Sequence, residues 1–172
     1  MTVAIRRAQV DDVAFLHALT NHEDVDRYLA ARRDRSREAM EERVARSRQE
    51  PERYGCIVFE VDGIPAGTVT YERVNQRSAI AELTCLAVHP TFRGRGVAIE
   101  AAALVQRHLI GELGFHRLQL EVYGFNDRAI AHAAHAGFVR EGVRRRAYRH
   151  GDGWVDGVLF GFVAEDLDAA AS

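Results

Sequence analysis

The sequence predicts an α/β (α+β) fold, in which about four helices flank a mixed, mostly antiparallel sheet of about seven strands. Beyond residue 51, short apolar runs alternate with turn residues, which is typical of strands. The turn Asp62–Pro65 lies between two such runs and predicts a β-hairpin. Neither an internal repeat nor a linker is visible, so residues 1–172 are expected to form a single domain.

The composition is that of a globular protein and excludes several kinds of partner. Hydrophobic residues make up 47% of the 172 residues and charged residues 28%, with a formal net charge of −2. This balance gives no reason to expect a nucleic acid or an anionic membrane as partner. No segment approaches the roughly 20 apolar residues of a membrane span, and the start lacks a secretory stretch, so a cytoplasmic location is expected. Cys56 and Cys85 are then expected to be reduced core thiols.

All 23 basic residues are arginine, because the chain contains no lysine. Any mechanism that requires a catalytic or phosphate-binding lysine is therefore excluded.

The first 51 residues are predicted to be mainly helical. Val13, Leu16 and Leu19 follow helical spacing, and Pro51 ends the last helix. The predicted elements are a strand over residues 3–7, a helix capped by Asp11 or Asp12, and a helical stretch over about 24–49 that breaks near 34–36.

The rest of the chain is predicted to be mainly strands. They cover residues 54–61, 66–71, 80–88, 118–123, 139–149 and 154–163. Two helices interrupt them. A long apolar helix over about 97–113 is stopped by Gly114, and a short alanine-rich helix runs from Asn126 or Asp127 to Gly137.

The most informative segment is the passage from strand to helix at residues 83–98. Here an apolar strand runs through Gly94 and Gly96 directly into the long helix. The first backbone N–H groups of a helix have no partner within it, and the helix dipole favours negative charge there. Glycine lets a pyrophosphate approach the backbone closely. A Gly-x-Gly turn alone is equally compatible with a purely structural role.

Two common phosphate-binding motifs do not fit this segment. A dinucleotide-binding Gly-x-Gly-x-x-Gly that starts at Gly94 requires glycine at position 99, where Ile99 stands. A P-loop requires a lysine, which the chain lacks.

Arg93–Ala98 does resemble the acyl-CoA signature Gln/Arg-x-x-Gly-x-Gly/Ala of the GNAT superfamily. Residues 126–129, 136–142 and 154–156 are similar to its ribosomal-protein N-terminal acetyltransferase branch. The resemblance covers residues 54–165, and the preceding helices are compatible with it. It implies the GNAT fold with a splayed central strand pair, and acetyl-CoA as co-substrate without a metal.

The resemblance also implies which residues hold acetyl-CoA. The CoA pyrophosphate would bind the backbone amides of Arg93, Gly94, Arg95, Gly96, Val97 and Ala98. The backbone of Leu86 and Val88 would pair with the pantetheine arm like an added strand, in the splay around Ala87 and Val122. Asn126 would bond the pantetheine, cap the helix beneath it, or do both.

An acceptor amine must lose a proton before it attacks, because the pKa of a lysine-type amine is near 10 and that of an α-amine near 8. A carboxylate reached through water can take this proton. Glu82 is the candidate, since it starts the central strand where many family members carry their base. The alternative is a solvated or ion-paired strand residue. A free N–H around Leu86 and Ala87 would stabilise the oxyanion.

The sequence departs from the commonest family pattern at the general acid. Many family members carry a tyrosine four residues before the glycine of the Gly-Phe pair, and here Ala133 stands at that position. Tyr123 and Tyr148 are the nearest alternatives. A CoA thiol has a pKa of about 8.5, so the thiolate can also leave without an acid.

Other candidate residues have simpler interpretations. His132 and His135 are expected on the surface, since a metal site would need further ligands. Cys85 is expected to be a core thiol rather than a nucleophile. Arg144–Arg146 is expected to be a solvated strand edge, with contact to the CoA 3′-phosphate or to an acidic acceptor as the alternative.

Two functions remain after these exclusions. The first is an enzyme that moves acetyl from acetyl-CoA to a primary amine, of a protein N-terminus or a small molecule, by direct attack in a ternary complex. The second is a non-catalytic acyl-CoA sensor or scaffold. Glu82 and the intact turn favour the enzyme, whereas Ala133 favours the sensor. The acceptor is expected to bind against the helices of residues 11–50, and the last strands are compatible with a homodimer.

Overall fold

The computed structural model describes residues 1–29 and 34–169, and a seven-stranded sheet forms its centre. The strands are β1 (Val3–Arg7), β2 (Tyr54–Val61), β3 (Ile64–Asn75), β4 (Ile80–Val88), β5 (Arg117–Tyr123), β6 (Val139–His150) and β7 (Gly153–Val163). Their spatial order is β1-β2-β3-β4-β5-β7-β6. Within the described chain only β4 and β5 pair in parallel. The prediction of a mixed, mostly antiparallel sheet is confirmed.

Six α-helices accompany the sheet in the described residues, where about four were predicted. They are α1 (Val13–Thr20), α2 (Glu23–Asp26), α3 (Arg37–Gln49), α4 (Val97–Gln106), α5 (Asp127–His135) and α6 (Ala164–Ala169). The stretch predicted over 24–49 is divided into α2 and α3, and Ser36 caps α3 by accepting a hydrogen bond from the Ala39 N–H. Residues 30–33, within that prediction, lie outside the described residues.

Helix α4 continues beyond Gln106 as a π-helical stretch, Arg107–Glu112. It ends at Gly114, whose φ of +67° is left-handed, as predicted for a helix-terminating glycine. None of the helices in residues 1–29 and 34–169 is long and apolar enough to cross a lipid bilayer.

The hairpin between β2 and β3 is tighter than predicted. Asp62 and Gly63 alone form the turn, with φ values of +51° and +82°, and β3 begins at Ile64. Two successive residues with positive φ match the twist of the flanking strands, so a two-residue turn suffices. The strand predicted over 66–71 is therefore longer at both ends.

Apolar side chains pack on both faces of the sheet. Strand β2 shows the alternation most clearly, because Ile57 and Phe59 join the core beneath α4, whereas Cys56 and Val58 join the core beneath α1 and α3. On β4, Ala81 and Leu83 belong to the α4 core. Their even-numbered neighbours Glu82 and Thr84 therefore face the α1–α3 side.

The parallel ladder between β4 and β5 stops halfway along both strands. It runs from Ile80 paired with Arg117 to Leu83 paired with Leu120. A bulge follows in β4, where Cys85 has a φ of +56° and two residues oppose Val69 of β3. A bulge bends its strand and leaves a residue unpaired, which parts β4 from β5. The predicted splay of the central strand pair is confirmed.

Candidate active site

The splay between β4 and β5 opens into a cleft of about 580 Å³ that crosses the sheet. Residues of α4 and α5, such as Ala102 and Ala129, line it on one side. On the other side lie residues of α2 and the segment after it, including Asp24 and Tyr28. The cleft therefore connects the two faces of the sheet, and two reactants can meet in it from opposite sides.

The glycine turn and the start of α4 form one end of the cleft. Gly94 and Gly96 have φ values of +74° and +79°, which glycine adopts without strain. The backbone N–H groups of residues 94–98 donate to no acceptor within the described chain. Gly94, Gly96, Val97 and Ala98 line the cleft, whereas Arg95 does not. These unpaired amides at a helix start are a binding site suited to phosphate.

The Arg93 side chain lies across this end of the cleft. Its Nε donates to the Val88 carbonyl at 3.0 Å, and a second guanidinium nitrogen donates to the Asp24 carbonyl at 3.3 Å. Burial and nearby Arg128 lower the pKa of Arg93 below its usual value. Arg93 thus links α2 to β4. Its Nε–H group also occupies one lone pair of the Val88 carbonyl oxygen. Leu86, Ala87 and Val88 all line the cleft.

Helix α5 supplies the wall opposite the glycine turn. Asn126 is buried and its side-chain oxygen caps the helix by accepting from the Ala129 N–H at 3.1 Å. Because capping uses only the oxygen, the amide group remains available to a ligand in the cleft. Ala133 also lines the cleft, at the position where a family tyrosine was expected.

Glu82 lies half-buried in the cleft wall. On β4 it is flanked by Glu72 of β3 and Gln119 of β5. No hydrogen bond or ion pair links its carboxylate to any other residue in the described part of the chain. The ion-paired alternative for Glu82 therefore has no support here, and the carboxylate is available for proton transfer.

Tyr148 lines the cleft from β6, but its hydroxyl is committed to a neighbour. It donates to Glu121 Oε2 at 2.6 Å, and Arg144 approaches the same oxygen to 3.2 Å. Burial together with the Glu121 carboxylate raises the pKa of Tyr148 to about 12. Tyr123 is buried behind it, with ring centroids 5.4 Å apart, and does not line the cleft. Of the two predicted acid candidates, only Tyr148 is in reach of a ligand.

Three residues of the cleft wall were missed or misplaced by sequence reasoning. Glu121 was not considered, although its alternation with Leu120 on β5 places it on the same face as Glu82. His132 was expected on the surface but is half-buried in the wall, and burial lowers its pKa. Cys85 was expected in the core but lines the cleft, because the bulge turns it. The hydrophobic periodicity of β5 was the signal that could have placed Glu121 in the wall, and that of α5 could have placed His132 there.

A profile of the acetyltransferase (GNAT) domain family matches residues 2–139. The chain therefore belongs to the GNAT family of acetyltransferase domains, whose members use acetyl-CoA. One curated relative is the SPbeta prophage-derived uncharacterized N-acetyltransferase YokL of Bacillus subtilis (strain 168), with 32% identity over 83 residues. This match covers 48% of the present chain and 47% of YokL, so the chain spans about half the length of that relative.

Solved structures share the fold over nearly the whole chain. The spermidine N-acetyltransferase of Vibrio cholerae, in complex with CoA and spermine, has a TM-score of 0.86 and 20% identity, covering 96% of this chain and 97% of that one. Mycobacterium smegmatis RimJ, in complex with CoA-disulfide, has a TM-score of 0.81 and 23% identity, covering 98% and 89%. The ribosomal-protein-S5-alanine acetyltransferase of Vibrio fischeri has a TM-score of 0.83 and 16% identity, covering 97% and 96%. These likenesses confirm the predicted GNAT fold.

Proposed function

We infer that the chain is an N-acetyltransferase that moves an acetyl group from acetyl-CoA to a primary amine. The observation that carries this conclusion is the cleft across the sheet, which has unpaired amides at the α4 end and the Glu82 carboxylate in its wall. The amides of residues 94–98 would hold the pyrophosphate, whereas the Arg93 N–H, also predicted for this role, donates to the Pro90 carbonyl at 3.2 Å. The edge of β4 at Leu86–Val88 and the Asn126 amide would hold the pantetheine arm.

The reaction proceeds by direct attack in the ternary complex. Glu82 takes a proton from the ammonium group through water, and the free amine attacks the thioester carbonyl carbon. A backbone N–H around Leu86, where the bulge interrupts the pairing with β3, would stabilise the oxyanion, whereas Ala87 pairs with Thr68. The nitrogen of the tetrahedral intermediate loses its second proton to water, and the intermediate then collapses to the acetamide and the CoA thiolate. The thiolate leaves without an acid, because a phenol of pKa about 12 at Tyr148 is a weaker acid than a thiol of pKa about 8.5.

The acceptor is a primary amine that enters from the α2 side of the cleft. The Vibrio cholerae neighbour binds spermine, and the Vibrio fischeri neighbour is named for the alanine of a ribosomal protein. Small polyamines and protein N-termini are therefore the two acceptor classes to test. A cytoplasmic location, a single domain over residues 1–172 and a homodimer through the last strands stay predictions.

Release of free CoA from acetyl-CoA, measured with a thiol reagent, tests the proposal. The panel contains spermine, 1,4-diaminobutane and a short peptide that begins with alanine. We expect turnover with at least one amine, and a roughly 100-fold lower kcat at neutral pH for Glu82→Gln because the base is lost. The rate of Glu82→Gln should recover as pH rises and the amine deprotonates by itself.

Glu141→Gln is the matched control, because Glu141 pairs with Arg117 on the surface and lies outside the cleft. It should keep wild-type turnover. Acetyl-CoA binding without turnover for any amine would instead support the sensor. Equal kcat values for Glu82→Gln and the wild type would remove Glu82 from the mechanism.

A further inference from the structure

A buried carboxylate next to the cleft, Glu121, holds the Tyr148 hydroxyl in one orientation. Only 12% of the Glu121 side chain is exposed, and its Oε2 accepts the Tyr148 hydroxyl hydrogen at 2.6 Å. A tyrosine hydroxyl has a single hydrogen, so Tyr148 has none left to donate. The Arg144 guanidinium approaches one lone pair of the hydroxyl oxygen, and the other lone pair can accept a hydrogen bond from a ligand in the cleft.

The two residues are on the side of the sheet from which the acceptor enters. Glu121 follows Leu120, the last residue of β5 that pairs with β4, so it stands where the splay begins. Strand alternation places it on the same face as Glu82. Both Glu121 and Tyr148 line the cleft.

Packing fixes the pair from behind. The Tyr148 ring meets the edge of Tyr123 at 5.4 Å between centroids, and Tyr123 in turn stacks on Phe125 at 5.4 Å. Arg144 pairs with Glu121 Oε2 at 3.2 Å, which holds the carboxylate beside the phenol. The hydroxyl is therefore held in place before any ligand arrives, and a pre-organised group binds at lower entropic cost.

We propose that Tyr148, oriented by Glu121, forms the subsite that binds the acceptor nitrogen. The acceptors are then amines that can donate an N–H hydrogen bond to the Tyr148 oxygen. This inference rests on the proposed function. An amine that donates one N–H to Tyr148 has its position fixed while its lone pair remains free to attack. Tyr148 touches the substrate, and Glu121 is a positioning residue that acts through it.

Amine binding to the CoA-saturated protein, measured by calorimetry with spermine, 1,4-diaminobutane and the alanine peptide, tests this subsite without any turnover. Tyr148→Phe should weaken amine binding by roughly three- to tenfold, as expected for one lost hydrogen bond, and leave acetyl-CoA binding unchanged. Where there is turnover, the loss should appear in the KM of the amine more than in kcat. Tyr71→Phe is the matched control, because that buried hydroxyl bonds Pro51 outside the cleft.

A double-mutant cycle tests the positioning role of Glu121. Glu121→Gln should weaken amine binding in the wild-type background but have little further effect in Tyr148→Phe, because both changes act through one hydrogen bond. Ultraviolet titration of the phenol, as a difference against Tyr148→Phe, should show the Tyr148 pKa falling from about 12 in Glu121→Gln. The other groups facing this phenol are Arg144 and Tyr123, which both variants keep.

The outcomes separate this inference from the proposed function. If amines bind in the expected pattern but no acetyl transfer occurs, the subsite stands and the enzyme proposal fails. Equal amine affinity for Tyr148→Phe and the wild type overturns the subsite, as does the absence of amine binding to the CoA-loaded protein. Equal losses for Glu121→Gln in both backgrounds overturn the positioning role.

Discussion

At the scale of single residues, Gly157 explains how the sheet tolerates the buried carboxylate of Glu121. Glu121 Oε1 is buried without a hydrogen-bond partner, and no other side-chain nitrogen or oxygen of the described residues is. Such an atom normally costs about 1–3 kcal/mol of unfolding free energy. Gly157 on the neighbouring β7 leaves room for it, because a Cβ there would lie 1.9 Å from Oε1 and 2.8 Å from the Tyr148 ring. Gly157 thus permits the Tyr148–Glu121 hydrogen bond.

Gly157→Ala should therefore displace Glu121 and Tyr148 together. We expect a loss of about 1–3 kcal/mol in unfolding free energy from overpacking, measured by urea unfolding. The phenol pKa, followed by ultraviolet titration, should fall from about 12 as the carboxylate moves away. Gly142→Ala is the control, since a Cβ at that strand position would meet only Leu159, at an ordinary 3.9 Å. Unchanged titration in Gly157→Ala would contradict this account.

The local structure around single residues agrees with the prediction where the signal was contiguous in the sequence. Gly94 and Gly96 were identified because a strand–turn–helix passage is a contiguous pattern, and Asn126 because a helix cap precedes its helix directly. Glu121 was missed because its role depends on Tyr148 and Gly157, which lie 27 and 36 positions further along the chain. No local pattern links these three residues.

At the scale of elements, the start of α4 combines a left-handed glycine turn with a binding surface. Gly96 is the residue before the helix and has no side chain to cap it, so the first helical amides stay open to the cleft. At this φ of +79°, any residue with a Cβ would lower the stability of the fold by about 1–2 kcal/mol. The same residue therefore sets both the direction of the helix and the exposure of its amides.

Gly96→Ala should lower the unfolding free energy by about 1–2 kcal/mol and weaken acetyl-CoA binding several-fold, because the amides shift as the strain is relieved. Thermal unfolding and calorimetry measure the two effects. Gly111→Ala lies in the exposed continuation of the same helix, without positive φ and with open space around it. This control should be stabilised by about 0.5–1 kcal/mol and bind acetyl-CoA normally. Wild-type acetyl-CoA affinity in Gly96→Ala would argue against the amides as the phosphate site.

The helices and strands were predicted best where the hydrophobic periodicity ends at turn residues. All seven strands were expected, and β1, β2 and β4 have the expected bounds, because each is an apolar run bounded by turn residues. The division of residues 24–49 into α2 and α3 was only partly foreseen, since Arg- and Glu-rich segments carry little hydrophobic periodicity. The bulge at Cys85 was not predicted, because it depends on the register with β3.

At the scale of the whole molecule, a cluster around Arg6 joins the sheet to the first helix. Arg6 on β1 donates to both carboxylate oxygens of Asp12, at 2.6 and 2.8 Å, and to Glu60 on β2 at 2.6 Å. Burial raises the pKa of Asp12, but the bonds from Arg6 and from the Gln9 N–H outweigh it and lower that pKa below its usual value. The cluster thus fixes α1, whose far end leads into the α2 segment over the cleft.

This cluster makes the stability of the fold depend on pH in a definite direction. A carboxyl group whose pKa is lower in the folded state stabilises the protein above its unfolded pKa of about 3.9, and this contribution is lost as pH falls through the folded value. Asp12→Asn should therefore lower the unfolding free energy by roughly 2 kcal/mol at pH 7, the size expected for hydrogen bonds to a charged group. The difference from the wild type should shrink as pH falls below 4, measured by urea unfolding across pH. Asp152→Asn, in the exposed turn before β7, should match the wild type throughout. A constant deficit for Asp12→Asn at every pH would mean that shape, rather than charge, holds the first helix to the sheet.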